Sequence, residues 1–393
     1  MIREYRNGRD LTDVPRNAKV IDLFGLTADE VRKLYPAIYQ HVLERVKPER
    51  DQNARATYRN NWWIHGEPRR ELRAALAGLP RYIATVETAK HRTFQFLDAS
   101  ILPDNMLVAI ATDDACLHGV LSSRAHISWA LAAGGTLENR PRYNKTRCFE
   151  TFPFPTPETG LKPALSARIA SLAEGIDAHR KRVLSAGQGL TLTGLYNVLE
   201  ALREGRVLTA KEKVIHDAGL VAVLKSLHDE LDAAVLAAYG WADITLPRDE
   251  QTLLARLVAL NADRVAEEAN GKIAYLRPAY QNPALRGAAT DGVKAAAEQT
   301  TLAIDTPQPG DVVATLPRIV AKARKIAWPK TLPERMKTVA NLLAESAAPL
   351  TTAQIYGRID AKKEQKTQLP EILATLVALG RSQQVNETQF ASA

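Results

Sequence analysis

The sequence predicts an α+β fold: a small mixed α/β domain, then an antiparallel helical bundle and a candidate C-terminal winged helix. Two observations lead to this prediction. The first 155 residues contain β-branched and aromatic runs separated by turns, as expected of strands. Leucine-rich stripes at three-, four- and seven-residue intervals dominate residues 160–285, and this is the spacing of amphipathic helices.

The strands of the first domain are predicted from three short runs. RYIATVET (81–88), RTFQFL (92–97) and MLVAIA (106–111) are rich in strand-forming residues and have polar boundaries. One helix is predicted over 113–133, from its periodic leucines. The following FPFPTP ends the region, because repeated prolines exclude helix and remove ladder donors.

The bundle is predicted over 156–285. Its stripes include Leu165, Ile169, Leu172, Ile176 and Val183, and leucines at 220–231 and 253–260 continue the pattern. Thr209 and Glu212 form a capping box, and Gly205 is placed to end the preceding helix in a left-handed conformation.

The remaining residues divide into a linker over 286–330 and a small domain over 331–393. The linker is rich in Ala, Thr, Gln and Pro. Helices predicted over 334–343, in APLTTAQIYGRI and over 369–379 precede a β-like QQVNETQF. Three helices followed by a hairpin is the order of a winged helix.

Composition indicates an ordinary globular protein with a polyanionic partner. Hydrophobic residues make up 46% and charged residues 24%, and the net charge is +8. Cations that neutralise phosphates release counterions, so a basic protein favours such partners. No apolar run approaches the roughly 18–20 residues of a membrane span. The polar N-terminus and two cysteines give neither a secretion signal nor a disulfide framework, so we expect a cytoplasmic protein.

Catalytic motifs are absent from the sequence. It contains no GxGxxG, GxxxxGK[ST], HExxH or GxSxG motif. His228 and Asp232 have the spacing of a metal pair, but a solvated helix face is the favoured interpretation. Glu212 and Lys213 resemble a nuclease ExK, although the capping box already explains the glutamate. Cys148 has no adjacent histidine base. We therefore assign no catalytic, cofactor-binding or metal residue.

One segment, LENRPRYNKTRCFETFPFP (137–155), carries the side chains that read bases. Arginine can donate a fork to guanine, asparagine can pair with adenine, and glutamate can accept from cytosine. The candidates for base readout are Glu138, Asn139, Arg140 and Asn144. The candidates for phosphate contact here are Arg142, Lys145 and Arg147. Taken alone, the segment is more typical of a solvated basic loop than of a base-reading element.

Several ordered blocks resemble the C-terminal part of MmeI-like, class I adenine-specific DNA methyltransferases of restriction–modification and phage-defence systems. The blocks lie at 20–76, 79–114, 144–155 and 192–241, and the similarity spans about 20–280. The resemblance implies a target recognition domain near 79–155, supported by the helical region. Its partner would be double-stranded DNA, with Glu138 and Arg140 as first choices for base readout.

The sequence departs from the family in the catalytic part. The complete family enzyme has an S-adenosylmethionine loop and an Asn-Pro-Pro-Tyr/Phe motif, but the only Asn-Pro here, Asn282-Pro283, continues as Ala-Leu. We therefore expect no cofactor on this chain, and S-adenosylmethionine only in the complete family enzyme. A methyltransferase catalytic domain would act in cis, upstream, or in trans, and the chain would be a truncated or split product.

Further candidates are Arg92 and Arg124, as phosphate contacts, and a cluster that contacts DNA or another domain: Arg59, Trp62, Trp63 and Arg69. For the tryptophans, packing is favoured over base stacking or groove insertion. Two other functions stay open. One is a non-catalytic protein-interaction or regulatory module, and the other is a specificity subunit that acts with a separate endonuclease.

Overall fold

The computed structural model describes residues 1–137, 140–186, 189–282, 325–329, 331–346, 348–360, 368–386 and 388–392. It confirms the predicted α+β class, with small sheets beside many helices. Two compact units are present, Met1–Leu257 and Val258–Ala393. The residues discussed as candidate contacts lie in the first unit.

Eight strands of the first unit form three small sheets. Their bounds are β1 Ile2–Arg6, β2 Lys19–Ile21, β3 Arg81–Val86, β4 Gln95–Asp98, β5 Leu102–Pro103, β6 Leu107–Ile110, β7 Gly135–Leu137 and β8 Arg140–Arg142. The strand orders are β2-β1-β5, β4-β3-β6 and β7-β8. The central strand β3 is antiparallel to both neighbours, with Ile83 opposite Phe96 and Ile110. The three runs predicted as strands are thus β3, β4 and β6.

Helices precede and follow the central sheet. The first eight are α1 Gly8–Thr12, α2 Ala28–Leu34, α3 Pro36–Arg45, α4 Lys47–Asp51, α5 Ala56–Asn60, α6 Arg70–Leu76, α7 Ala115–Ser122 and α8 Arg124–Ala133. The single helix predicted over 113–133 is wrong, because the chain is extended at Ser123. The Ser123 hydroxyl donates to the Val120 carbonyl over 2.7 Å, which satisfies a terminal carbonyl of α7.

The bundle consists of α9 Pro163–Ser185, α10 Leu192–Arg203, α11 Ala210–Ala218, α12 Val221–Ala238 and α13 Glu250–Ala269. The capping box of Thr209 and Glu212 is present, and Gly205 has φ +65 after α10. The interpretation of His228 and Asp232 as a solvated face is wrong. Both are buried: His228 Nε2 lies 2.8 Å from Tyr196 Oη, and Asp232 accepts from the Arg124 amide over 2.7 Å.

The sheet and the bundle share one core. Arg180 donates to the Phe94 carbonyl over 2.6 Å, and Lys181 donates to the Phe96 carbonyl over 2.9 Å. Helices α7 and α9 pack so closely at Gly119 that a Cβ there would lie 2.6 Å from Ile169 Cγ2. The boundary predicted near residue 155, between the first domain and the bundle, therefore falls inside one compact unit.

The second unit contains the winged-helix order. Its further elements are α14 Pro278–Gln281, β9 Ile326–Ala327, α15 Leu332–Ala344, β10 Leu350–Thr351, α16 Thr352–Arg358, β11 Ile359–Asp360, α17 Leu369–Ala378, β12 Ser382–Asn386 and β13 Gln389–Ser392. The hairpin β12–β13 also pairs with β10. The linker predicted over 286–330 lies outside the described residues apart from 325–329. No helix in the described ranges combines the length and apolarity of a bilayer span.

Buried histidines should make the first unit sensitive to acid. Burial lowers the pKa of His118 to about 4 and of His126 to about 3, and it also lowers the pKa of His228 well below its ordinary value. The pKa of an unfolded histidine is about 6.5. Each histidine that stays neutral in the folded protein therefore lowers the free energy of unfolding by about 1.4 kcal/mol for every pH unit below that value. Asp232, whose pKa burial raises to about 6, opposes part of this loss at lower pH.

We expect urea unfolding, followed by tryptophan fluorescence, to give a lower free energy of unfolding at pH 5 than at pH 7.5. His126→Gln should reduce this pH dependence, whatever its effect on absolute stability, while His41→Gln at an exposed position serves as the control. A free energy independent of pH over this range would contradict the role given to the buried histidines.

Candidate nucleic-acid interface

Residues 140–147 form an exposed basic segment held by buried neighbours, and we call it the basic ribbon. It comprises β8 and the start of a single π-helical turn, Lys145–Phe149. Tyr143 and, just beyond the ribbon, Cys148 are fully buried, and Tyr143 Oη lies 2.9 Å from His126 Nε2. The four cations between and around them are exposed: Arg140, Arg142, Lys145 and Arg147.

Backbone hydrogen bonds attach the ribbon to the chain that leaves β3. The Tyr143 amide donates to the Glu87 carbonyl over 2.7 Å, and the Ala89 amide donates to the Pro141 carbonyl over 3.3 Å. A Cβ at Gly134 would lie 2.5 Å from the Ala130 carbonyl oxygen and 2.7 Å from that of Arg142. Glycine is therefore needed where α8 gives way to the ribbon.

Arg92 belongs to the interior and cannot contact a phosphate, so this prediction is wrong. Its exposed fraction is 6%, and burial lowers its pKa to about 10. The guanidinium donates to four inward-facing acceptors: Thr85 Oγ1 and the carbonyl oxygens of Val86, Glu87 and Pro141. The Glu87 and Pro141 carbonyls also accept from the Tyr143 and Ala89 amides, so Arg92 adds a second donor to each of them. Arginine has enough donors to reach all four acceptors.

The other predicted contacts of this region differ in how far they are exposed and paired. Glu138 and Asn139 lie outside the described residues. Asn144 is half-buried, and its carbonyl begins the π turn by accepting from the Arg147 and Cys148 amides. Arg142 pairs with Glu87 at 2.5 Å but keeps 48% of its side chain exposed.

Arg124 also lies apart from the exposed cations. Its side chain pairs with Glu250 at 3.3 Å and is mostly covered. Its phosphate contact stays a prediction that would require this ion pair to open.

The tryptophan cluster packs inside the N-terminal helical layer. Trp62 is enclosed with Leu23, Val31 and Val42, and Trp63 Nε1 donates to the Leu26 carbonyl over 2.8 Å. Groove insertion is therefore wrong for Trp62, and the favoured packing is what the structure shows.

The two arginines of the same cluster hold local structure. Arg59 donates to the carbonyls of Asn53 and Ala54 over 2.6 and 2.9 Å. Arg69 is exposed, has a left-handed backbone and pairs with Glu67 at 2.8 Å. Contact of either residue with DNA or another domain stays a prediction.

A cavity of about 690 Å³, which we call the basic cleft, adjoins the ribbon. Three exposed cations line it: Arg9 at α1, Lys90 after β3, and Arg140 on β8. The carboxylate among the lining residues, Asp104, already accepts a hydrogen bond from the Tyr5 hydroxyl. Three elements that are distant in sequence thus direct positive charge toward one concavity.

The sequence analysis missed Arg9 and Lys90, which line the cleft, and Asn197, which holds Lys90. Arg9 follows Asn7, whose side chain caps α1 together with Asp10, so NGRD was a usable signal. Asn197 on α10 accepts from Lys90 Nζ over 2.6 Å, and its Oδ1 lies 2.8 Å from His91 Nε2. No local pattern indicates this link, because Asn197 and Lys90 are 107 positions apart.

The exposed groups of this surface suit binding. Arginine and lysine offer donors to phosphate and base edges, while His126 is buried beneath them as a support. Within the described part of the chain, no group of three histidine, cysteine or carboxylate side chains could hold a metal ion.

Known proteins resemble the region that contains this surface. Residues 26–156 match the family model of the MmeI target recognition domain. DNA methyltransferase A of Bacillus subtilis (strain 168) is 28% identical over 159 residues, which are 40% of this chain and 15% of that protein. The chain therefore spans a small part of this curated relative.

A solved structure of the type IIL restriction–modification enzyme MmeI in complex with DNA aligns with a TM-score of 0.48 and 20% identity. The alignment covers 67% of this chain and 31% of the MmeI chain. The family model places the ribbon and most of the cleft within its match. Residues 26–156 therefore form an MmeI-like target recognition domain.

Proposed function

We propose that this chain recognises a specific sequence in double-stranded DNA for an adenine-specific DNA methyltransferase of a restriction–modification or phage-defence system. The observation that carries the proposal is the basic ribbon, whose cations are exposed while Tyr143 and Cys148 hold its backbone. The match of residues 26–156 to a target recognition domain supports the same function.

The strand pair β7–β8, whose second strand begins the basic ribbon, has a shape suited to the major groove. β7 and β8 are antiparallel neighbours, and residues 138 and 139 join them in the sequence. The major groove of B-DNA, about 12 Å wide, admits a two-stranded β-ribbon. Arg140 lies on β8, and Glu138 and Asn139 precede it directly in the sequence. We assign base readout to these three residues.

The cations differ in what they can do on a duplex. No carboxylate among the described residues pairs with Arg140, so its fork is available for guanine. Lys145 and Arg147 lie on the π turn beyond the strand, and we assign phosphate contacts to them. Arg9 and Lys90 extend the positive surface into the cleft.

Methyl transfer is assigned to a catalytic domain outside these 393 residues. That domain would be joined in cis or associate in trans, and it would bind S-adenosylmethionine. The sequence given has neither the glycine-rich loop nor the Asn-Pro-Pro motif of the family, so no residue of it is assigned to the cofactor.

Base readout by Arg140 predicts a change in sequence discrimination. A duplex selected from a random library by the 393-residue protein, and a scrambled duplex, would be compared by fluorescence anisotropy. Arg140→Ala should cost about 1–3 kcal/mol on the selected duplex and little on the scrambled one. Lys145→Ala should weaken both equally and reduce the salt slope by about 1.

The matched control is Lys211→Ala, which removes an exposed cation from α11, a helix with no residue in the cleft. Equal affinity of the wild type for selected and scrambled duplexes would reject sequence recognition. It would favour the interaction-module alternative instead.

Arg92 should behave as a scaffold residue. Arg92→Met removes the four hydrogen bonds of the guanidinium, and the Glu87 and Pro141 carbonyls keep only their backbone donors. A buried polar group that is left unsatisfied, such as the Val86 carbonyl, costs about 1–3 kcal/mol. We therefore expect a clear loss of stability in thermal unfolding. In protein that is still folded at low temperature, the salt slope of DNA binding should match that of the wild type, since no phosphate contact is lost. A reduced slope in a folded Arg92→Met variant would instead indicate that Arg92 contacts a DNA phosphate.

A further inference from the structure

We propose that Arg50 and Arg55, which both stack on the ring of Tyr58, form a second phosphate-binding site on the same DNA duplex. This inference rests on the proposed function, because it adds a backbone contact to it. The site shares no residue with the basic ribbon or the basic cleft. We call it the arginine pair.

Two guanidinium groups meet at one aromatic ring. Arg50 Cζ lies 4.9 Å from the centroid of Tyr58, and Arg55 Cζ lies 5.6 Å from it. Arg50 is in α4, while Arg55 directly precedes α5, which carries Tyr58. The ring therefore brings together two like charges that would otherwise repel each other, and cation–π attraction offsets part of that repulsion.

No described part of the chain neutralises either charge of the arginine pair. Among the described residues, no carboxylate oxygen lies within ion-pair distance of Arg50 or Arg55. The same helix shows the contrast, because Lys47 pairs with Asp51 at 2.6 Å. Two uncompensated cations on one ring indicate an anionic ligand from outside the chain.

The local structure fixes the ring and the chain around it. A Cβ at Gly66 would lie 2.3 Å from Tyr58 Cε1 and 2.5 Å from Cζ, so only glycine lets the backbone approach the ring here. Arg59 donates to the carbonyls of Asn53 and Ala54, which lie between α4 and α5. The arginine pair is therefore preorganised rather than carried on a free loop.

The geometry favours phosphodiester as the ligand. A guanidinium that lies over an aromatic ring still has N–H donors for a further partner, and its planar fork matches a phosphate. Arginine stays charged at any working pH, so the contact would be electrostatic and independent of base sequence. The pair would add affinity to the duplex without adding discrimination.

The test is the salt dependence of duplex binding by the full 393-residue chain. Fluorescence anisotropy would be measured between 50 and 200 mM salt on the library-selected duplex and on its scrambled version. Each phosphate contact contributes about −0.9 to the slope of log K against log salt. Arg50→Gln with Arg55→Gln should therefore reduce the magnitude of the slope by about 1.8 on both duplexes, because two contacts are lost.

A matched double variant controls for net charge. Arg32→Gln and Lys211→Gln remove two exposed cations, one from α2 of the same helical layer and one from α11. They should change the slope by less than about half of what one phosphate contact contributes. Gly66→Ala retains both arginines but displaces the Tyr58 ring, and it should weaken binding to both duplexes. Circular dichroism would verify that each variant is folded.

The outcomes separate this inference from the proposed function. If the arginine-pair variant keeps the wild-type slope while Arg140→Ala still reduces discrimination, only the arginine pair is rejected. An equal loss of slope in the matched control also rejects it, because net charge would then explain the effect. If the wild type binds no duplex at all, the proposed function and the arginine pair fail together. Should the double variant unfold, Arg50→Gln and Arg55→Gln singly must each reduce the slope, or the inference is wrong.

Discussion

The hydrogen bonds of buried Arg92 are the constraint on which the interface depends. One guanidinium satisfies carbonyls from the chain that leaves β3 and the carbonyl of Pro141 in β8. It also lies over the ring of Tyr143, with Cζ 5.0 Å from the centroid. Removing a charged group from water is costly, and only a full set of acceptors offsets that cost. The hydrogen bonds of the Arg92 guanidinium therefore also connect the sheet to the ribbon.

The connection between the sheet and the ribbon determines which cations are exposed to a ligand. Tyr143 and Cys148 point inward, so the residues around them point outward, and Arg140, Lys145 and Arg147 are exposed. The bundle contributes from the other side, because Asn197 accepts hydrogen bonds at the loop that carries Lys90. A recognition surface made of short strands and turns thus gains stiffness from helices that carry none of its assigned readout residues. Residues far beyond the matched segment 26–156 are part of the same folded unit.

The buried polar groups of the first unit follow the same logic. His118, His126 and His228 are enclosed, and each has a hydrogen-bonding neighbour in the core. They join elements that are distant in sequence, such as α7 with Phe94 and α8 with Tyr143. Such groups favour this arrangement of sheet and bundle, because separating the elements would remove the hydrogen-bonding neighbour of each buried Nε2. Their position inside the core separates them from catalytic roles, although isolated histidines in a sequence invite such an assignment.

The sequence by itself determined the fold class, the three strands of the central sheet, the leucine stripes, the Thr209 capping box and the basic character of the ribbon. These features are local, since periodicity, turn residues and caps act within one or two turns of chain. Tertiary structure alone decided that Arg92 and Trp62 are buried, that His228 and Asp232 face the core, and that the predicted helix 113–133 breaks at Ser123. It also brought Arg9, Lys90 and Arg140 to one cleft. Burial and convergence depend on partners tens of residues away, which no local pattern encodes.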